Sequence, residues 1–566
     1  MATRAPAPSP AEVIRPGDVG LKREMGLIGA TWASETSIIG SGWLFGAFYA
    51  TAAAGPIALV GWVIGGVAVI ILALVHAELG GMYPVSGGTA RFPHFAFGSV
   101  AGTTFGFFSW LQAVTVAPIE CYAVFQYMAY YWPAVYNPKT DLVTGTGFGM
   151  TILLMFIFTV LNFLAMRFFN LWNSTMTWWK VAIPIVAIIV LFTKFKASNF
   201  TATAGPVHGF NPYGWKVLFS AIPSAGIVFS YLGFEQADQL AAEVKNPQRN
   251  LPRAIILSIM IGTLIYILLQ VVFVGAMPHS LIAHGWTALG TSSLASGPFA
   301  GLATLTGFSA LAVILRVDAV VSPFGTGQMY LTSTSRIGYG LGRNRYFPPV
   351  FTWVDRRGIP WLSLIVAFLL GLVFLLPFPS WHSLVNLVTL ASVLMYAGAP
   401  LAMGALRRQV PDAPRPYRVP IAAVWGPVSF IIANLIIYWT GFYTVWKFGI
   451  AVAIGYLLIG AFMVFDRKRP ILNWRGALWI FPYLIGMGLI SWQGQYSGQS
   501  APYPLPHTFT NTGNLPFWWD FLVVAVFSLA IYYLAMWLRL PREETLELVE
   551  RQATHHEDME PPPVTA

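Results

Sequence analysis

Fourteen apolar runs, most of them about twenty residues long, leave this chain almost no water-soluble alternative. They cover about residues 25–54, 56–79, 100–133, 146–168, 174–193, 216–240, 253–277, 306–336, 360–377, 382–405, 421–441, 447–465, 475–493 and 516–538. A hydrocarbon core of ~30 Å is crossed by about 20 helical residues. Lipid offers backbone groups no hydrogen bonds, so each run is expected to be a helix that satisfies its own. Charged residues make up 10% of the chain and hydrophobic ones 56%, whereas soluble domains carry about 25% charged residues. The expected fold class is an all-α integral membrane protein with about 14 transmembrane helices.

Basic residues orient those helices. With the N-terminus inside, Lys139, Lys194, Lys196, Lys216 and Lys447 fall outside and Lys180 and Arg316 lie within spans, leaving 25 of the 32 Lys and Arg on the inner side. The clusters Lys245/Arg249/Arg253, Arg336/Arg343/Arg345/Arg356/Arg357, Arg407/Arg408/Arg415/Arg418 and Arg467/Lys468/Arg469/Arg475 all land there, as the positive-inside rule requires. That distribution also accounts for the net charge of +10 without a nucleic-acid partner. Residues 1–24, rich in Pro and Ala, are expected to be a disordered cytosolic tail. The tail 539–566 holds one short helix candidate, Glu543 to Arg551, before a Pro-rich end. Cys121 is the single cysteine, so no disulfide framework, thiol metal site or other metal or cofactor is expected.

Two runs contradict their own helices. Ser37-Ile38-Ile39-Gly40-Ser41-Gly42-Trp43-Leu44-Phe45 puts two glycines around a serine in mid-membrane, although Gly weakens a helix by about 1 kcal/mol relative to Ala. Phe229-Ser230-Tyr231-Leu232-Gly233-Phe234-Glu235 repeats the pattern about 190 positions later, five runs on. Small residues also serve close helix packing. A pair of interrupted segments in corresponding places, however, is the pointer to a transporter whose site lies between repeats.

Ionisable residues at depth need a partner or a function, since each costs about 2.5 kcal/mol or more. Lys180 and Glu120 are expected to pair, either structurally or as a proton-coupling device. Glu35, Glu235 and Asp238 flank the breaks as an acidic lining of a pathway or as caps on helix ends. Arg316, with Asp318, is placed near the outer membrane edge, as an Asp-paired snorkelling Arg or as a recruiter of anionic substrate. His76 and Glu78 are expected to pack against an inner loop.

Several motifs resemble the amino acid–polyamine–organocation (APC) permeases: Ile38-Ile39-Gly40-Ser41-Gly42, Glu78-Leu79 with Tyr83-Pro84-Val85-Ser86-Gly87-Gly88, Gly233-Phe234-Glu235, Glu243 to Arg249, Leu251-Pro252-Arg253-Ala254, and Leu406-Arg407-Arg408 through Pro411, Arg415-Pro416 and Pro420. They run collinearly over about residues 21–470, and the opening Leu21 to Trp43 is most similar to the bacterial aspartate–proton symporters. The resemblance implies a 5+5 inverted-repeat core over 25–405 with discontinuous helices 1 and 6, a cytosolic loop 406–420, and added helices 11–14 over 421–538. It implies that N–H groups around Ser41, Gly42 and Trp43 hold a substrate carboxylate, and that carbonyls of Ile38, Phe229, Ser230 and Leu232 receive an α-ammonium group. It further implies that Lys180 fills a cation place beside Ser322 or Thr326. Glu35 and Arg316-Val317-Asp318 depart from the common pattern.

The sequence therefore predicts a proton-coupled amino-acid symporter of the bacterial cytoplasmic membrane, with both termini cytoplasmic and aspartate or glutamate as lead substrate. Its partners would be the amino acid, protons and the bilayer. Ser230, Tyr231 and Glu35 are the first residues to test for side-chain choice. A permease or antiporter for neutral or cationic amino acids, and a non-transporting sensor of the same fold, are the alternatives. A respiratory proton-pumping subunit would need Lys at depth in several spans, and only Lys180 qualifies. A membrane enzyme would need a catalytic constellation, and no His, Cys and Asp share ligand spacing.

Overall fold

The computed structural model describes residues 25–85, 87–164, 166–355, 359–376, 380–465, 472–498 and 510–554. Residues 1–24, Ser86, Arg356 and Arg357, the cluster Arg467 to Arg469 and the Pro-rich end from residue 555 lie outside them. Helices dominate: α1 (Leu27–Ile38), α2 (Ser41–Ala54), α3 (Ala58–Met82), α4 (Gly88–Phe97), α5 (Ser99–Met128), α6 (Gly145–Leu164) and α7 (Met166–Phe192). After them come α8 (Gly214–Ser224), α9 (Ile227–Ser230), α10 (Gln236–Gln239), α11 (Pro247–Gly275), α12 (Pro298–Leu305) and α13 (Ser309–Arg343). The chain closes with α14 (Trp361–Leu375), α15 (Trp381–Gln409), α16 (Ala422–Trp439), α17 (Phe442–Phe465), α18 (Ile480–Gln493), α19 (Trp519–Leu538) and α20 (Arg542–Thr554).

Among the described residues, ten helical stretches are long and apolar enough to cross a membrane, and the protein is a multi-pass membrane protein. One of the ten, Ser41–Met82, contains two helices. At Gly55 the backbone adopts φ 73°, a region that favours glycine. Beyond that turn the chain runs back, so that a methyl on Gly46 would lie 3.0 Å from the Trp62 ring. The all-α expectation needs one amendment. Two-residue antiparallel pairings join Tyr136–Asn137 to Leu142–Val143 and Thr203–Ala204 to Val207–His208, both in connecting loops. The short helix expected in the C-terminal tail is α20.

The apolar stretches of α5 and α15 are almost wholly buried, while those of α6 and α17 expose most of theirs, including Leu153, Phe156, Leu457 and Val464. α1, α2, α9 and α10 are enclosed between α3, α5, α7, α11, α13 and α15. At the end of the bundle that carries the arginine clusters, buried Glu78 closes α3 against α15. Its carboxylate accepts from Arg407 Nε at 2.8 Å and from the Val419 N–H at 2.7 Å. Glu78 thus packs against the loop after α15, as expected of it. His76 instead packs within the bundle, against Phe92, Phe234 and Tyr396.

Both predicted interruptions are present. α1 ends at Ile38, Ile39 and Gly40 leave helical geometry (ψ 78° and φ −114°, ψ −141°), and α2 starts at Ser41. The other interruption has two glycine joints, Gly226 at φ 86° and Gly233 at φ 118°. A methyl on Gly233 would come within 2.8 Å of the Ile38 nitrogen and 2.7 Å of Ser37 Cβ. Backbone cannot yield to such contact cheaply, and the conformation itself disfavours an L side chain by about 1–2 kcal/mol. Gly233→Ala is therefore expected to destabilise the protein by about 2 kcal/mol or more, read as a lower midpoint of thermal unfolding in detergent than for Ser230→Ala.

Candidate functional site

The two interruptions meet. A methyl on Gly42 would stand 2.6 Å from Ser230 Oγ and 2.9 Å from Ser230 Cα, so these positions touch only because Gly42 has no side chain. Beside the contact lies a cavity lined by Ser37, Ile38, Gly40, Gly42, Phe229 and Leu232 from the interruptions. Val116 and Glu120 of α5 and Thr326 and Tyr330 of α13 complete it. It measures about 10 Å³, space for roughly one water, so the helices are closed around it.

Breaking a helix frees N–H and C=O groups that protein must satisfy where lipid cannot. At the start of α2 the Ser41 N–H donates to Glu120 Oε2 and the Ser41 hydroxyl to Oε1, both at 2.9 Å. Trp381 Nε1 of α15 donates to the same Ser41 oxygen at 2.8 Å. A carboxylate on the first N–H of a helix also meets the positive end of its dipole. At the end of α1, Lys180 Nζ donates to the Thr36 carbonyl at 2.5 Å and to Thr326 Oγ1 at 2.8 Å. The Thr326 hydroxyl donates to the same carbonyl at 2.8 Å. Tyr266 of α11 donates to the Ile38 carbonyl at 2.7 Å. Gly40 permits this convergence, because a methyl there would lie 2.7 Å from Thr326 Oγ1 and 2.9 Å from Glu120 Oε1.

Of the residues expected to bind substrate, Ile38, Gly42, Phe229 and Leu232 line the cavity, while Ser41, Trp43 and Ser230 do not. Ser41 is engaged by Glu120 and Trp381, Trp43 turns to Phe299 at 5.5 Å, and the Ser230 hydroxyl donates back to the Gly226 carbonyl at 2.7 Å. The Ile38 carbonyl, expected to receive an ammonium group, is occupied by Tyr266. Tyr231 points away from the cavity and donates to the Trp62 carbonyl at 3.0 Å.

The expected ion pairs are rearranged. Glu120 and Thr326 flank Gly40, and Lys180 and Glu120 bond to Thr326 and Ser41 rather than to each other. Thr326, rather than Ser322, is the hydroxyl beside Lys180; Ser322 donates to both oxygens of Asp318 at 2.9 Å. Asp318 also accepts from Trp179 Nε1 at 2.8 Å and is fully buried. Arg316, two residues away, points elsewhere. Its guanidinium sits 3.7 Å from the centre of the Tyr130 ring and donates to Thr304 Oγ1 at 3.3 Å. Residues i and i+2 of a helix do not face each other, so the Arg316–Asp318 pair does not form.

Glu235, just before α10, accepts from the Gly233 N–H at 2.9 Å and from the Tyr396 hydroxyl at 2.5 Å, and its side chain caps no N–H of that helix. Glu35 is no cap, since it lies in the last turn of α1 and neither of its oxygens has a partner among the described residues. Sequence reasoning missed Val116, Tyr330 and Trp381. Trp381 packs at 5.1 Å on Phe45, at 5.7 Å on Phe229 and stacks on Tyr49 at 5.4 Å. A tryptophan at the start of an apolar run gave no sign of that role. No group of three His, Cys, Asp or Glu side chains that could hold a metal occurs among the described residues.

Two broken helices meeting at a small, buried, mostly apolar cavity within a multi-pass bundle fit a membrane transporter. A family model described as amino acid permease matches residues 25–464, and the chain belongs to that family. The chain is similar to the aspartate-proton symporter of Bacillus subtilis, at 34% identity over 92% of this chain and 97% of that protein. It is also similar to the glutamate/serine transporter AimA of the same species, at 33% identity over 91% and 94%. The branched-chain amino acid permease BcaP of B. subtilis is 24% identical over 81% and 96%.

The Gly42–Ser230 contact supplies a direct check. Gly42→Ala forces apart two backbones that now touch, and overpacking of this kind costs roughly 1–3 kcal/mol. Substrate affinity is expected to fall about tenfold or more, measured by isothermal calorimetry in detergent, and Gly42→Ala/Ser230→Gly should recover part of it.

Proposed function

We propose that this chain is a proton-coupled amino-acid symporter with aspartate or glutamate as its lead substrate, working by alternating access in a bacterial cytoplasmic membrane. The observation that carries the coupling is the Lys180 ammonium, seated on the Thr36 carbonyl and the Thr326 hydroxyl. There it joins α1, α7 and α13 beside the first interruption. A fixed ammonium at that place does the work of a bound cation and repels Na⁺. Breaking these two contacts frees the end of α1, which the closed cavity requires before a substrate can enter or leave.

Residues 25–405 serve as a transport core of two inverted five-helix repeats, with the interruptions in its first and sixth helices. Four further helices over 421–538 bring the spans to fourteen, and both termini face the cytoplasm with the arginine clusters. The substrate carboxylate is assigned to the N-terminus of α2, where it would share or displace Glu120. Two relatives, named for aspartate and for glutamate and serine, support the choice of substrate. One observation favours a second reading, a small neutral amino acid. The charged side chain lining the cavity is Glu120, and no Lys or Arg lines it among the described residues.

Reconstituted protein separates these possibilities. With ΔpH and Na⁺ gradients imposed separately on proteoliposomes, radiolabelled aspartate should accumulate with ΔpH alone, and unlabelled aspartate and glutamate should compete. Lys180→Ala should lose accumulation at least about tenfold, the value of one proton per unit of ΔpH, while retaining some exchange. Sodium-driven uptake at equal pH would overturn the proton reading. Competition by serine but not aspartate would select the neutral substrate.

A further inference from the structure

Three carboxyls, Glu35, Glu120 and Asp318, lie within electrostatic reach of the single ammonium of Lys180. One positive charge cannot balance three negative ones in a site this deeply buried, because burying an unpaired carboxylate costs far more than folding can supply. Hydrogen bonding distinguishes the three. Glu120 accepts from the N–H and hydroxyl of Ser41, and Asp318 accepts from Trp179 and Ser322. Glu35 is 0% exposed, and neither of its oxygens accepts from a protein group among the described residues. It also lies in the last turn of α1, where the helix dipole opposes negative charge.

Among the described residues, the elements around α1 offer it no other cation. α7 brings Lys180, which is committed to Thr36 and Thr326. α11 brings Tyr266, whose hydroxyl is committed to Ile38. Glu235 precedes α10 and Asp238 lies within it, next to the Phe234 carbonyl segment to which the Ser34 hydroxyl of α1 donates at 2.9 Å; both would add negative charge. α13 presents Thr326. Asp238 also has two oxygens without a partner among the described residues, but it is not one of the carboxyls within reach of Lys180.

We propose that Glu35 is the carboxyl that carries the transported proton: it is neutral while α1 is seated against α7, α11 and α13, and it releases the proton to water when α1 moves away. The proposal deepens the proton-coupled reading and rests on it. The residue after Glu35 is Thr36, whose carbonyl receives Lys180 and Thr326. Separating α1 from those two groups therefore unseats Glu35 in the same movement. Protonation admits α1 to its seat, and hydration of the carboxyl withdraws it.

The full-length protein in liposomes gives two independent readouts. Infrared difference spectra between acid and alkaline buffer should contain the carbonyl stretch of a neutral carboxyl free of hydrogen bonds, and Glu35→Gln should abolish it. A pH dye inside the vesicles should record one proton fewer per substrate for Glu35→Gln than for wild type. The limiting accumulation should fall about tenfold for each unit of ΔpH, since one unit is worth about 1.36 kcal/mol. Counterflow exchange, which moves no net proton, should persist. A band that survives Glu35→Gln, or an unchanged proton count, overturns the proposal. If Glu35→Gln does not assemble, Glu35→Asp should shift the band, and an unshifted band is equally decisive against it. Should wild type take up substrate without protons, the coupling falls while the band still reports whether Glu35 holds one.

Discussion

The architecture turns on one constraint, that a helix broken inside a membrane must find protein partners for the backbone groups it releases. Each side of the first interruption is served by a different set of neighbours. Glu120 reaches from α5 to the start of α2, while Lys180 and Thr326 reach from α7 and α13 to the last turn of α1. Tyr266 takes the Ile38 carbonyl from α11. Four helices are thereby tied to two consecutive half-helices through contacts that are directional, buried and few. Such a set cannot deform gradually: the groups keep their partners, or the half-helix leaves them together.

Glycine makes that convergence possible. At Gly40, Gly42 and Gly233 a methyl would meet Thr326 and Glu120, Ser230, and the Ser37–Ile38 backbone respectively. Each contact joins a different pair of surfaces at the cavity, and together they hold the two interruptions against each other and against α13. The glycines thus do two jobs at once. They weaken the helix locally, and they let the neighbours that repair the break come within hydrogen-bonding range.

The positions of the interruptions were legible because small residues at mid-depth violate a strong local rule. Lys180 and Glu120 were legible because charge at depth violates another. Their partners were not. Whether Lys180 meets Ser322 or Thr326 depends on the rotation of α13 about its axis, which a nearly continuous apolar run does not mark. Residues 318, 322 and 326 share one face at one-turn spacing, and the structure divides them, giving Ser322 to Asp318 and Thr326 to Lys180. The Arg316–Asp318 pairing was the avoidable error, because helical spacing alone sets those side chains on different faces. Tyr231 misled for a related reason. Next to Ser230 in sequence, it is directed by the tight geometry of α9 toward Trp62 on α3 and away from the cavity. Val116, Tyr330 and Trp381 carried no local signal, since an apolar or aromatic residue in an apolar run is what the membrane already demands.

Glu120 changes how the start of α2 must be understood. A helix N-terminus with free N–H groups attracts any carboxylate, and the sequence suggested that the substrate supplies it. Here a carboxylate of the protein already occupies the first N–H and the Ser41 hydroxyl, while Trp381 holds that hydroxyl from the other side. On the proposed reading the substrate therefore does not fill an open cradle. It exchanges with an internal competitor of its own chemical class, so its binding is offset by the loss of two hydrogen bonds to Glu120. A substrate carboxylate that takes over the Ser41 N–H leaves Glu120 without its donors, beside Gly40 and facing the Thr326–Lys180 contact. Occupancy of the cavity is then sensed at Lys180 through groups one hydrogen bond away, without any long-range strain.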